Sequence, residues 1–347
     1  MNKSFYLLTI VLCLVIASCD DEHNVNGGEG NGDTSFWAQS HTTLVGVKGM
    51  VSRVTENTYA LKDGAEIDPA TLLDMSFNAA DRMTYYNATG MEPETPETRG
   101  VWQTMAYYSY QYDRDGKMVQ ATVTPVGDEP MVYHLTYDEH AQYVPLIFPL
   151  GGMDFFLVKG LKSIVSEDET VSYTFDGTKA SYKQEAWTGD IETVYSYAAD
   201  SPYPVKKVVT TSRGEDILGV ETTTYTYGEK GRLLKTDVRA LEGGAETLRT
   251  ITNYAEAQSL LPLSVKMDMG GFMADWTYTY NSELRLQKVD YIENKGSEDE
   301  VTDKEEYEYT SADSNGNWTD SKQLQSSIVN MSHLDGLIGV RRTIIYQ

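Results

Sequence analysis

Residues 108–123 read YSYQYDRDGKMVQATV. Tyr108, Tyr110 and Tyr112 alternate with small or polar residues, Asp113-Arg114-Asp115-Gly116 interrupts the run, and a second alternating segment follows. Alternation with period two marks a strand, and Asp-Gly between two such runs marks a hairpin turn. The unit is therefore a β-hairpin. It returns in altered form as YTYGEKGRLLKTDV at 225–238 and YTYNSELRLQKVDYI at 278–292.

The other Tyr-x-Tyr pairs are Tyr195/Tyr197 and Tyr307/Tyr309, with weaker echoes at Tyr133/Tyr137 and Asn253/Tyr254. Independent of tyrosine, LSVKMDMGGFMADWTYTY at 263–280 alternates into and out of Gly270-Gly271, as a two-residue turn with positive φ requires. Trp276, Tyr278 and Tyr280 share one face of that strand, and Trp102, Tyr108, Tyr110 and Tyr112 share one face of theirs. Such rows form a core, because aromatic cross-strand pairs stabilise a sheet. The competing role is a platform for a glycan, for which Trp102, Trp187, Trp276 and Trp318 are the candidates. One segment, IDPATLLDMSF at 67–77, carries a helix-start signal with Asp68 as N-cap and Pro69 at the first turn. The expected fold is all-β: an antiparallel up-and-down meander of hairpins, curled into a large open sheet or a soluble barrel, with little helix.

The amino terminus reads as an address. Lys3 precedes an apolar run from Phe5 to Ile16, which spans about 18 Å as a helix, too little for a hydrocarbon core of about 30 Å. It ends in LVIASCDDE at 14–22. This resembles the lipobox of bacterial lipoproteins. The resemblance implies a signal peptide over 1–18, diacylglyceryl transfer to Cys19 and a membrane contact through that lipid alone. Several acyl chains together anchor a protein stably. Asp20, Asp21 and Glu22 resemble the export signal that carries lipoproteins of Bacteroidota to the outer face of the outer membrane. From Cys19 to residue 43 the chain is rich in Gly, Asn and acids, a tether composition, and 44–347 is expected to be one β-hairpin repeat domain.

YEYTSADSNGNWT at 307–319 and RRTIIY at 341–346 resemble the YD repeat of Rhs-type proteins. YQYDRDGKM at 110–118 keeps tyrosine, aspartate and glycine, YTYGEKGRL puts Gly228 in place of the aspartate, and YTYNSELRL puts Leu284 in place of the glycine. Degenerate copies of this kind are similar to those of Bacteroidota surface lipoproteins of unknown function, which implies a porin-like, meandering β domain.

Composition narrows the function classes. Both cysteines, Cys13 and Cys19, fall in the signal or at its cleavage point, so the mature body contains no thiol for a disulfide or a Cys-ligated metal. With 28 Lys and Arg against 52 Asp and Glu, the net charge is −24. That field repels nucleic acid. The sequence contains no G-x-S-x-G elbow, P-loop, H-E-x-x-H or helix-opening G-x-G-x-x-G. His134, Asp138 and His140 share strand parity, but two imidazoles six residues apart on a strand are about 20 Å apart, so no metal site or cofactor is expected there. The leading expectation is a noncatalytic binding or scaffolding module with a glycan or envelope-protein partner. The alternatives are a polysaccharide-acting enzyme with an acidic site in its loops and a structural partner of an outer-membrane assembly.

Overall fold

The computed structural model of the chain describes residues 35–62, 65–91, 102–140, 142–146, 157–167, 170–186, 189–256, 260–326 and 337–347. Twenty-three strands are present among them, 21 in one sheet and two in a small side hairpin, Tyr143–Pro145 with Leu157–Lys159. Every pairing is antiparallel and, with few exceptions, joins neighbours in sequence. The exceptions are informative.

The first strand, Val51–Lys62, pairs with the second, Ala65–Phe77, on one side and with the last, Leu337–Tyr346, on the other. Strand Met131–Tyr137 skips the side hairpin to pair with Leu161–Val165, which then pairs with Thr170–Ser172. Thr170–Ser172 continues through Tyr173 into Thr174–Phe175, which pairs with Lys179–Ala186. The ladder is interrupted there at Tyr173, whose N–H donates to Lys162 O at 2.9 Å. The meander is thus nearly closed into a barrel, which leaves little unpaired sheet edge.

Its inward face holds the aromatic rows. Tyr108, Tyr110, Tyr195, Tyr197, Ala121, Val123, Met75 and Val54 are buried in one cluster, and Val265, Met267, Trp276, Tyr278, Val289 and Tyr291 in a second. The outward face carries ion pairs: Arg53–Asp74, Lys266–Asp275, Lys288–Asp290, Lys304–Glu306 and Arg341–Asp320. Those are the alternate positions that a lipid-spanning barrel keeps apolar. No helix of the described residues is long and apolar enough to cross a membrane.

The repeat resolves into one device used several times. At Asp113–Lys117 the Asp113 N–H donates to Lys117 O, Asp113 Oδ1 accepts from the N–H groups of Asp115 and Lys117 at 2.9 and 2.8 Å, and Gly116 takes φ +78°. Asp313–Asn317 repeats this bond for bond, again with glycine, Gly316, at φ +78°. Asn78–Arg82 and Asn281–Arg285 build the same turn with an asparagine acceptor, and hold Asp81 and Leu284 at φ +54° and +58° where the other copies have glycine. An Asp or Asn side chain that bonds the backbone two residues on makes such turns self-supporting. Each is preceded by a register shift, at Phe77, Tyr112, Tyr280 and Ala312, which sharpens the local twist. All four turns lie at one end of the barrel.

Two sequence expectations are corrected here. Residues 67–77 belong to a strand and not to a helix. Thr58 pairs with Ala70 and Ala60 with Ile67, so Asp68 and Pro69 sit in a bulge opposite Tyr59. A bulge is where a residue without an N–H is tolerated in a sheet. The folded body also starts before residue 44. Phe36–Ala38 forms a 3₁₀ turn and His41–Leu44 a single helical turn capped by Ser40, whose Oγ accepts from Thr43 N–H. Phe36 and Trp37 are buried with Leu44, Tyr143 and Tyr203. This segment lies across the barrel end that carries the Asx turns: His41 N–H donates to Asp81 O, Arg82 donates to Gln39 O, and Lys48 exchanges two backbone bonds with the Asn317 side chain.

Candidate ligand-binding groove

Of the sequence-expected aromatic and anchor residues, Trp276 and Trp318 have described side chains. Trp276 and Trp318 are 2% and 1% exposed and belong to the interior, so neither offers a ring face to a ligand outside. Cross-strand packing accounts for both: Trp276 lies 5.2 Å from Tyr291, and Trp318 lies 5.5 Å from Tyr309 with the Arg342 guanidinium 3.7 Å from its ring centre. The Trp102 backbone pairs with Met91 at a strand start, while the Trp102 side chain, Trp187, Cys19, Asp20, Asp21 and Glu22 lie outside what is described. His134 is exposed on strand Met131–Tyr137. His140 instead turns its Nε2 toward Asp138 at 3.2 Å, with its ring tilted against Phe175, ring centres 3.6 Å apart. Among the described residues no group of three or more His, Cys, Asp or Glu is placed to hold a metal ion.

Two carboxylates are buried inside the barrel. Glu56 faces Arg342 across the first and last strands, with Arg342 Nε donating to Glu56 Oε1 at 2.8 Å. Burial pushes the Glu56 carboxyl up, against the opposing pull of Arg342. Glu305 accepts from the Tyr307 hydroxyl, and burial pushes it up likewise. Each is committed to an internal partner across or along the sheet and is walled off from solvent, so these acids serve closure and packing.

A recess of about 470 Å³ lies on the outer face, over four consecutive strands: Pro204–Arg213, Asp216–Tyr227, Leu233–Glu242 and Ala245–Tyr254. Its floor is set by register. Thr223 and Tyr225 point into the barrel, Thr223 at 5% exposure, so Thr222, Thr224 and Thr226 project outward in a row. Lys206 lies opposite Thr224 on one side, and Lys235 lies opposite Thr226 on the other. Arg239 is opposite Thr222.

Its electrostatics are uneven. Asp237 is bridged by Arg249 at 3.1 Å and Arg239 at 3.3 Å, and hydrogen bonds from Arg249 first, then Arg239, hold its carboxyl below the usual aspartate range. Glu246 lies at the other end, opposite Leu241. Lys206 and Lys235 have no ion-pair partner among the described residues, and the hydroxyls of Thr222, Thr224 and Thr226 make no hydrogen bond there. The recess thus presents two unpaired ammonium groups flanking a line of hydroxyls. Nothing in the sequence marks this place: its residues are scattered over four strands with ordinary Thr and Lys content.

Comparison with known proteins adds distant likenesses in fold. No protein-family model matches the chain, and no curated protein does. Among solved structures, a porin-like protein of Bacteroides uniformis overlaps with a TM-score of 0.37 at 12% identity, over 85% of this chain and 97% of that one. A porin-like protein of Bacteroides vulgatus overlaps with a TM-score of 0.25 at 10% identity, over 86% and 98%. A chain of the TcdB2-TccC3-TEV structure overlaps with a TM-score of 0.21 at 10% identity, over 78% of this chain and 17% of that one. Overlaps of this size are too weak to carry function from one protein to another.

Proposed function

We propose that the protein is a noncatalytic binding or scaffolding module, held at the cell envelope by lipid on Cys19 and turned toward the cell exterior. The order LVIASCDDE supports this most directly: small residues before a lone cysteine, acids immediately after it, and a preceding apolar run too short to span a bilayer. The rest is compatible with that address. The barrel face is studded with ion pairs, suited to water, and the described chain starts at the end carrying the Asx turns, so the tether joins the barrel there. The unpaired ammonium and hydroxyl groups of the outer recess are the chemistry through which such a module takes a ligand.

The test is paired. Palmitate labelling of the wild type and of Cys19→Ala is combined with protease treatment of intact cells. Label that is lost in the variant, with cleavage on whole cells, is the expected result. Absence of label in the wild type removes the anchor, and label without cleavage turns the protein to the inner side of the envelope.

A further inference from the structure

We infer that the outer recess binds an anionic polysaccharide, with Lys206 and Lys235 meeting its carboxylate or sulfate groups and Thr224 and Thr226 bonding its hydroxyls. This rests on the reading of the protein as a binding module and names the ligand class of that module's site.

Charge contrast is the first argument. In a chain of net charge −24, the recess contains Lys206, Lys235 and Arg239 against Asp237 and Glu246, and Asp237 is already neutralised by two arginines. The chain as a whole repels an anion, whereas here the anion meets two ammonium groups with no ion-pair partner among the described residues. A Lys ammonium is a compact point charge that suits carboxylate and sulfate without demanding a fixed fork geometry.

Shape and lining supply the second. Thr222, Thr224 and Thr226 repeat along the strand at about 6.6 Å, two residues at about 3.3 Å each. Neighbouring strands set Lys206 and Lys235 about 4.8 Å to either side of that row. An open trough with a repeating floor fits an extended polymer better than a compact molecule. No aromatic side chain lines it. Stacking on aromatic faces is what a single-stranded nucleic acid requires, so that polyanion lacks its main contact here. A protein partner lacks a buried apolar centre, since Leu241 is the lone large apolar side chain of the lining.

Strength follows from exposure. Exposed ion pairs contribute about 0.2–1 kcal/mol each and are screened by salt. Binding is therefore weak per site, gains from the repeat of the polymer, and falls as ionic strength rises.

The experiment uses the full lipidated chain in detergent, with affinity electrophoresis in gels containing polygalacturonate, dextran sulfate or neutral dextran. The comparison is between wild type, Lys206→Gln/Lys235→Gln, and a charge-matched control, Lys162→Gln/Lys183→Gln, whose lysines are exposed elsewhere on the barrel. Retardation by either anionic polymer at low salt, weakened roughly tenfold in the groove variant and unchanged in the control, is expected. Equal loss in both variants, or equal retention in both, overturns the groove while leaving a binding module in place. Retardation by dextran alone, or by none of the three polymers, overturns the ligand class. None of these results bears on Cys19 labelling, so the anchor and the ligand stand or fall separately.

Discussion

The Tyr112 hydroxyl donates to the backbone oxygen of Met83 at 2.6 Å, across from one hairpin to the bulge that opens the next strand of its neighbour. Tyr137 does the same to Met118 O at 2.5 Å, and Tyr280 to Pro262 O at 2.7 Å. Met83, Met118 and Pro262 are each the residue that pairs with the last position before a turn, where the register shift has drawn a carbonyl out of the ladder. The closing tyrosine of each such unit therefore ties itself to the irregular point of the unit before it. In the Tyr110/Tyr112 and Tyr278/Tyr280 copies the first tyrosine fills the core, and the second fills it in part and satisfies a carbonyl at the neighbouring bulge.

Tyr112→Phe keeps the ring and removes that donor, leaving Met83 O without it. A buried acceptor left unpaired costs about 1–3 kcal/mol. Urea unfolding followed by tryptophan fluorescence should show a loss in that range, with Tyr280→Phe behaving alike. A Tyr112→Phe variant as stable as the wild type contradicts the latch.

Asp81 occupies the left-handed position that Gly116 and Gly316 fill in the sister turns, and its Oδ1 is buried with no hydrogen-bond partner. Burial also pushes its carboxyl up. Asp81→Gly relieves the backbone and removes the stranded oxygen, while the Asp81 O bond from His41 N–H is retained. The gain is expected to be about 1 kcal/mol, after the added freedom of glycine in the unfolded chain is discounted. Thermal unfolding measures it, and a lowered midpoint argues that the carboxylate has a partner in solution.

Glu56 and Arg342 stand 286 residues apart and close the barrel from inside. Their side chains are 1% and 0% exposed, and Glu56 Oε2 has no hydrogen-bond partner among the described residues. Removing one partner of such a pair leaves a buried charge and costs about 3–5 kcal/mol, whereas replacing both by apolar residues is often neutral. Glu56→Met alone is expected to destabilise severely, and Glu56→Met/Arg342→Met to recover most of the loss in chemical denaturation. A double variant no better than the single one points instead to the Arg342–Trp318 stack as the main contribution.

Much of this architecture is legible in local sequence. Period-two aromatics, Asp-Gly at 115–116 and Gly-Gly at 270–271 each specify a hairpin within a dozen residues, and a run of hairpins implies a meander. What escapes is whatever depends on distant register. Pro69 reads as a helix start until a bulge opposite Tyr59 accommodates it. Phe36 and Trp37 look like part of a tether until Tyr143 and Tyr203 cover them. Closure rests on Glu56 meeting Arg342, and the recess on Lys206, Thr224 and Asp237 sharing one rung, relationships that no short window of sequence contains. The aromatic candidates mislead for a physical reason: inward and outward strand faces have the same period, and only closure tells which face Trp276 and Trp318 occupy.

His41 gives the protein a pH response of determinable sign. Its Nδ1 accepts from Met83 N–H at 2.8 Å, so the folded ring is neutral with its proton on Nε2. Burial first, and the nearby charge of Arg82 second, lower its pKa from 6.5 to about 3. Between those values the unfolded chain takes up a proton that the folded chain refuses. Stability from this residue is complete above pH 6.5 and is lost as pH falls toward 3, at a slope of up to about 1.4 kcal/mol per unit. Other acids titrate in the same window, so the comparison must be with His41→Gln, whose side-chain oxygen can accept from Met83 N–H without titrating. Urea midpoints from pH 7 to pH 4 are expected to fall more steeply for the wild type than for the variant, the two lines converging toward acid. Parallel lines would mean that the folded ring accepts the proton after all, and that the bond to Met83 breaks without cost.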